Sequence, residues 1–214
     1  MTERPVVVVG AGGHGQVVAD ALQASGASVL GFVDLRADAG AMVAGLPVLG
    51  DDDWLVADGS YDLANGLGGV GGTEERGRRR SLQQRLEAAG FSFTSVRHPS
   101  ALVSSGALIE PAAQLLARCV IQTGARIGAG AIINTGAIVE HGCRIGAFSH
   151  CATGVILCGD VTIGSDSHIG AGAVIRQGVV LEDGVVVGAG AVVLGAESGT
   201  GPLLGVPARR RGPG

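Results

Sequence analysis

From Val103 onward the apolar positions of this chain keep a period of six. Reading every sixth residue gives Val103, Ile109, Leu115, Ile121, Ile127, Ile133, Val139 and Ile145, then Cys151, Leu157, Ile163, Ile169, Ile175, Leu181, Val187 and Val193. Cysteine, the one non-aliphatic member, buries readily. Four residues after these positions stands a second series of small or β-branched residues, among them Ala113, Cys119, Ala125, Ala137, Cys143, Ser149 and Ser167, with glycine recurring between them. An unbroken phase of this kind predicts a hexapeptide-repeat parallel β-helix. Three short strands make one triangular coil, so about eighteen residues advance the chain by one strand spacing, ~4.8 Å. Each coil supplies backbone hydrogen bonds to the next.

The first half follows a different rhythm. Val6 to Val9 reads as a buried strand, followed by a glycine-rich turn and a helix from about Gln16 to Ala24. Val29 to Val33 is a second strand ending at Asp34, and Tyr61 to Leu67 a third. A helix from Glu74 to Ala89 and a strand from Phe91 to Val96 complete the half. Strands alternating with helices predict a small, Rossmann-like parallel sheet. The expected organisation is an α/β domain over 1–98, a β-helix over 99–195 and a C-terminal tail over 196–214 that can cover one end of the prism.

Composition sharpens this picture. The chain of 214 residues is 46% apolar but only 3% aromatic, with 39 glycines, as suits narrow regular layers of Val, Ile, Leu and Ala. Its net charge of -4 offers no basic field for nucleic acid. The cationic cluster from Arg76 to Arg85 reads as a solvated helix face. No lysine occurs, which removes Schiff-base chemistry and the P-loop lysine together. The four cysteines form no CxxC pair, the chain enters a strand at once rather than a leader, and no apolar stretch reaches membrane-spanning length. The expectation is a soluble, cytoplasmic protein.

Gly10-Ala11-Gly12-Gly13-His14-Gly15 matches GxGxxG between a strand and a helix, with Asp34 ending the next strand. Alone, that pattern suggests a dinucleotide. It leaves open an NAD(P)-binding protein trimerised by a passive β-helix. Added to it, in order, are His98-Pro99-Ser100-Ala101, Asn134-Thr135, Val139-Glu140-His141 and Gly205-Val206-Pro207-Ala208-Arg209. Together these motifs resemble the hexapeptide-repeat sugar acetyltransferases that include bacillosamine and perosamine N-acetyltransferases and sialic acid O-acetyltransferases, with the perosamine type the best match.

The resemblance implies a left-handed β-helix homotrimer with its active site between subunits, acetyl-CoA as co-substrate, and no metal. It also implies a nucleotide-linked amino sugar as acceptor and a product destined for polysaccharide biosynthesis. A sialic-acid-like O-acetyl acceptor shares every motif and stays open. His141 is then the catalytic base: an imidazole, with an ordinary pKa of about 6.5, can take the proton that an attacking amine sheds. His150, Gly159, Ala171 and Ala189 are the implied acetyl-CoA contacts, with the Gly159 N–H aimed at the thioester oxygen. Gly12, Gly13, His14 and Asp34 would hold the diphosphate and ribose at the helix N-terminus. Asn65, Gly66 and Gly68 would form the opposite wall. His168, eighteen residues after His150, reads as a stacked edge residue, since zinc β-helix enzymes use a histidine pair five apart that this chain lacks. In one respect the chain departs from the pattern. Many relatives follow the base with an acidic residue, and here Gly142 follows His141.

Overall fold

The computed structural model describes residues 4–69, 73–195 and 201–210, which divide between two compact units, 1–99 and 100–214.

In the first unit, strand β1 (Val6–Val9) is four buried valines, as expected of a strand covered on both faces. It leads into helix α1 (Gly13–Ala24), then strands β2 (Val29–Val33), β3 (Met42–Val43), β4 (Leu46–Gly50) and β5 (Asp62–Asn65), and helix α2 (Thr73–Ala88). The sheet order is β3-β4-β2-β1-β5. β1, β2, β4 and β5 run parallel, while β3 pairs antiparallel with β4 and makes the sheet mixed at that edge. The β3–β4 hairpin turns through Ala44 and Gly45, both at positive φ (48° and 79°). The segment expected as a strand from Phe91 to Val96 contributes only a bridge between Leu63 and Phe93 and a short strand at Val96–Arg97.

Helix α2 corrects one expectation about the arginine cluster. Arg78 and Arg85 are exposed, but Arg79 is buried. Helical spacing places 79, 83 and 86 on one face, and Gln83 and Leu86 are buried with it. The side chain of Arg76 lies outside the described residues.

The second unit is a parallel β-helix of two-residue strands. Its first face stacks six strands, from Leu102–Val103 to Val192–Val193, and its second stacks five, from Leu108–Ile109 to Val180–Leu181. The third face includes Gln114–Leu115, Ile132–Ile133, His150–Cys151, His168–Ile169 and Val186–Val187. Partners differ by eighteen residues throughout, as in Val120 with Ile138 and Ile132 with His150. The period-six series points inward: Ile121, Ile127, Ile133, Leu157, Ile163, Ile169 and Ile175 are all fully buried. The second series fills the corners of the same core, Ala113, Cys119, Ala125 and Ala137 included.

The two serines of that series are satisfied by a ladder along the axis. Ser149 Oγ donates to the Gly164 carbonyl at 2.6 Å and accepts from Ser167 N at 3.1 Å. Ser167 Oγ repeats both bonds one coil on, to the Glu182 carbonyl and from Val185 N. A hydroxyl inside an aliphatic prism is tolerated because it is fully bonded. Of the C-terminal tail, 196–200 and 211–214 lie outside the described residues. Leu203–Leu204 extends the third face in parallel beside Val187, and Arg209–Arg210 returns antiparallel to it, burying Leu203 and Ala208.

Candidate functional site

In the first unit the glycine-rich loop and the segment after β5 are built against each other. A Cβ at Gly15 would overlap the Gly10 carbonyl oxygen, and one at Gly66 would stand 2.5 Å from that oxygen and 2.8 Å from the carbonyl of Val9. Only glycine permits this approach. Gly68 lies against His14, whose Cβ and Cγ would be 3.1 and 3.3 Å from an added Cβ. Asp34 ties the loop to β2, accepting from Ala11 N at 2.7 Å through Oδ2 and from Arg36 N at 2.8 Å through Oδ1. Gly12 is the N-cap of α1, extended and without a side-chain cap, and no acidic residue occupies the first turn. Added Cβ atoms at Gly12 and Gly13 would meet nothing within 4 Å. The helix start is therefore open and carries the positive end of its dipole.

Asn65 is placed differently from its neighbours. It is buried, with Nδ2 donating to the Arg79 carbonyl at 3.0 Å and Oδ1 accepting from Leu67 N at 3.1 Å. These bonds hold the Gly66–Gly68 segment in position.

In the second unit His141 stands exposed at the corner between the first and second faces. One coil later Gly159 lies directly against its ring. A Cβ at Gly159 would come within 2.5 Å of both Cε1 and Nε2 of His141. The next residue pair is also stacked: Asp160 N donates to the His141 carbonyl at 2.9 Å, and Asp160 Oδ1 occupies the place where a side chain at Gly142 would begin.

Two thiols of the core lie nearby, Cys143 at this corner and Cys151 on the third face. Burial, aided by the charges of Asp160 and Glu140, pushes the Cys143 thiol up to about 11, and burial pushes Cys151 up to about 12. Cys143 spends its proton on the Cys158 carbonyl. Neither supplies a thiolate near neutral pH, so neither is an acyl carrier.

His150 is buried on the third face beside Asn134 and His168. Asn134 Oδ1 accepts from Thr135 N at 2.7 Å, which turns its amide nitrogen toward His150 Nε2 at 3.0 Å. His168 meets the His150 ring edge-on with centroids 5.1 Å apart. Among the described residues no group of three or more His, Cys, Asp or Glu is arranged to hold a metal ion. Ala171 and Ala189 are exposed at the corner between the third and first faces and are stacked, Gly190 N donating to the Ala171 carbonyl at 2.8 Å.

The His141–Gly159 pair and the Ala171–Ala189 column thus occupy two different edges of the prism. The first face lies between them, at most about 20 Å wide for six residues. Its outward residues are Leu102, Val120, Ile138, Ile156, Val174 and Val192, every one aliphatic and half-buried or exposed. The second face instead carries Arg126, Arg144 and Thr162 among its outward positions.

Comparison with known proteins agrees with the two-part fold. Residues 5–80 match the PglD N-terminal domain family, and residues 160–195 match the bacterial transferase hexapeptide (six repeats) family. The acetyltransferase domain of PglB from Neisseria gonorrhoeae FA1090 is 34% identical, with a TM-score of 0.87 over 98% of this chain and 100% of that one. The H141N variant of perosamine N-acetyltransferase from Caulobacter crescentus, in complex with CoA and GDP-perosamine, is 35% identical, with a TM-score of 0.89 over 98% and 97% of the two chains. No curated protein sequence matches the chain significantly.

The chain belongs to the hexapeptide-repeat sugar acetyltransferase family.

As a member of that family it is an acetyltransferase, and the β-helix expected from its six-residue period is the architecture it shares with these relatives. WeeI from Acinetobacter baumannii AYE, at 20% identity and a TM-score of 0.64, shares the fold. Among the described residues no helix of this acetyltransferase is long and apolar enough to cross a membrane. The sequence reading did not foresee Asp160 beside Gly142. The signal was available in the spacing, since eighteen residues separate the two as they separate His141 from Gly159.

Proposed function

We propose that this protein transfers the acetyl group of acetyl-CoA to the amino group of a nucleotide-linked amino sugar of the GDP-perosamine type, with His141 as general base. The observation that carries the reading is the exposed imidazole of His141 lying against the side-chain-free Gly159. It leaves room for a thioester beside a proton acceptor. In the reaction the amine nitrogen attacks the thioester carbonyl, the new N–C bond forms, the C–S bond breaks, and the ammonium proton passes to the imidazole. A thiolate is a good enough leaving group for direct transfer, and the raised Cys143 and Cys151 thiols are poor candidates for an intervening nucleophile. The Gly159 N–H is the donor for the carbonyl oxygen, and His150 enters the reading as a coenzyme contact through the family resemblance.

The open start of α1, with Gly12, Gly13 and His14, suits the diphosphate, and Asp34 suits a ribose hydroxyl. Asn65 acts by holding Gly66 and Gly68 in place as the other wall. For acetyl-CoA, the exposed Ala171 and Ala189 and the open corner glycines Gly172 and Gly190 give an extended arm small residues and backbone to run along.

The same geometry supports a homotrimer. The coenzyme column and the base sit on separate edges of one prism, and a contiguous aliphatic face joins those edges. Apolar faces of this extent mark interfaces. Packing one copy's first face against another copy buries it and brings a neighbour's coenzyme column toward His141.

The test is a thiol-release assay with acetyl-CoA against a panel of UDP-, GDP- and dTDP-linked amino sugars, alongside free sialic acid and an NADH titration. Release with an amino-sugar nucleotide, lowered by at least two orders of magnitude in His141→Asn with the fold intact, is the expected result. Release only with sialic acid moves the acceptor to a hydroxyl. Saturable NADH binding without acetyl-CoA binding overturns the reading.

A further inference from the structure

The third face carries a column of side chains that the proposed reaction uses only in part. Its outward positions, one per coil, are Gln114, Ile132, His150, His168 and Val186. Ile132 pairs in register with His150, His150 with His168, and His168 with Val186. Two imidazoles therefore stand one strand spacing apart, ~4.8 Å, between an isoleucine and a valine.

His150 is held through two contacts. Asn134 Nδ2 lies 3.0 Å from its Nε2, and Asn134 is itself pinned, its Oδ1 accepting from Thr135 N at 2.7 Å. From the next coil the His168 ring meets it with centroids 5.1 Å apart and planes inclined by 74°. This is the edge-to-face arrangement of paired rings, a directional contact that favours one relative orientation. His150 is buried and His168 half-buried.

The pair stands beside the column read as the path of the coenzyme arm. Thr135, Thr153, Ala171 and Ala189 recur at one corner position of successive coils. Backbone bonds stack them: Gly154 N donates to the Thr135 carbonyl at 2.9 Å, Gly172 N to that of Thr153 at 2.9 Å, and Gly190 N to that of Ala171 at 2.8 Å. His150 stands three residues before Thr153, and His168 three before Ala171. The two rings thus flank the stretch where the column passes from Thr153 to Ala171.

We propose that His168 is a positioning residue of the coenzyme site: its ring, packed edge-on against His150, holds that imidazole in the orientation in which it meets the coenzyme. A ring braced at one point can still move between side-chain rotamers, and a second brace from Asn134 and His168 together leaves it one setting. A contact oriented before the ligand arrives spares the cost of ordering it on binding. Loss of the brace therefore weakens coenzyme binding, and leaves untouched the His141 corner on a different edge of the prism.

This inference rests on the reading of His150 as a coenzyme contact, and calorimetric titration with CoA, which needs no acceptor, tests both. His168→Val installs the residue that the next coil carries at Val186, a β-branched side chain suited to a strand, so the prism folds. Removing the edge-to-face contact raises the Kd for CoA about three- to tenfold. In the thiol-release assay the KM for acetyl-CoA rises with it, and the KM for the acceptor does not. His168→Phe, which keeps a flat ring at this place, stays within about twofold of the parent. In protein labelled with nitrogen-15 histidine, the His150 ring signals are assigned by their loss in His150→Ala. They stay sharp in the parent and in His168→Phe, and broaden or split in His168→Val. Parental CoA affinity in His168→Val beside a weakened His150→Ala overturns the positioning role alone. Parental affinity in His150→Ala overturns the reading of His150, and the role of His168 with it. Equal losses in His168→Phe and His168→Val also overturn the proposal, since a ring contact would then not be what His168 supplies.

Discussion

Gly159→Ala isolates the geometry of the site from the stability of the fold. The φ of Gly159 lies outside the left-handed region, so alanine fits its backbone. Elsewhere such a change stabilises by about 0.4–1 kcal/mol by narrowing the unfolded ensemble. The new methyl, however, would lie 2.5 Å from both Cε1 and Nε2 of His141. Carbon and ring atoms come to rest about 3.5–4.0 Å apart. One side must retreat by roughly 1 Å or more, and the cheap movement is the exposed ring, swinging away about its own side-chain torsions, rather than the stacked backbone. The thermal midpoint should therefore stay within a few degrees of the parent.

Catalysis should not stay. A misplacement of about 1 Å in a positioned group costs on the order of 100-fold in rate. The expected outcome is a kcat about two orders of magnitude below the parent in the thiol-release assay, with a near-parental melting curve by circular dichroism. The His141→Asn variant provides the floor, because a displaced base should approach an absent one. A Gly159→Ala enzyme within threefold of the parent would refute the reasoning, since the ring would then not need the place it occupies. A large fall in the melting temperature would also refute it, by showing that the prism rather than the ring gives way.

Two further outcomes follow from the same structure. Ile156→Glu places a charge in the middle of the aliphatic first face; light scattering after gel filtration should show the assembly falling from three times the chain mass of 21.1 kDa to the single chain, with activity lost in step. A fully active oligomer of parental mass would separate the face from the site. The second concerns alkaline stability. Cys143 and Cys151 are held well above their ordinary value of 9.0, at about 11 and about 12, so the folded protein keeps protons that the unfolded chain releases. Their contribution is fully present below pH 9 and is lost as pH rises through about 11 to 12. With no lysine and one tyrosine in the chain, few other groups ionise in that window. The melting temperature of the parent should fall between pH 9 and 11, and that of Cys143→Ala combined with Cys151→Ala should fall less steeply; equal slopes would assign the loss elsewhere.

What the sequence disclosed and what it withheld divide along a physical line. The prism was legible because its geometry is a translation. A residue and its neighbour eighteen positions on must face the same way, so Ile127 predicts the setting of Ile145, and His141 predicts that Gly159 lies against it. Ser149 and Ser167 fall inside this rule, for their hydroxyls bond along the same axis. The first unit yielded β1, α1 and β2 because runs such as Val6–Val9 and the glycine turn after them admit few other structures. It withheld β3 and β4, since Ala44-Gly45 is a weaker turn signal than Asn-Gly or Asp-Gly even though both residues adopt positive φ. It also overextended the strand at Phe91, where sheet pairing is reduced to one bridge.

The site was legible only in part for a related reason. Where function depends on stacked positions, periodicity reports it. Where a side chain leaves its own coil, as Asp160 does toward Gly142 and as Asn134 does toward His150 sixteen residues away, the repeat cannot specify the contact. The departure at position 142 therefore looked like the loss of a group when read along the chain. Read across the coils, the following coil brings the Asp160 carboxylate over Gly142, a contact that chain order alone does not show.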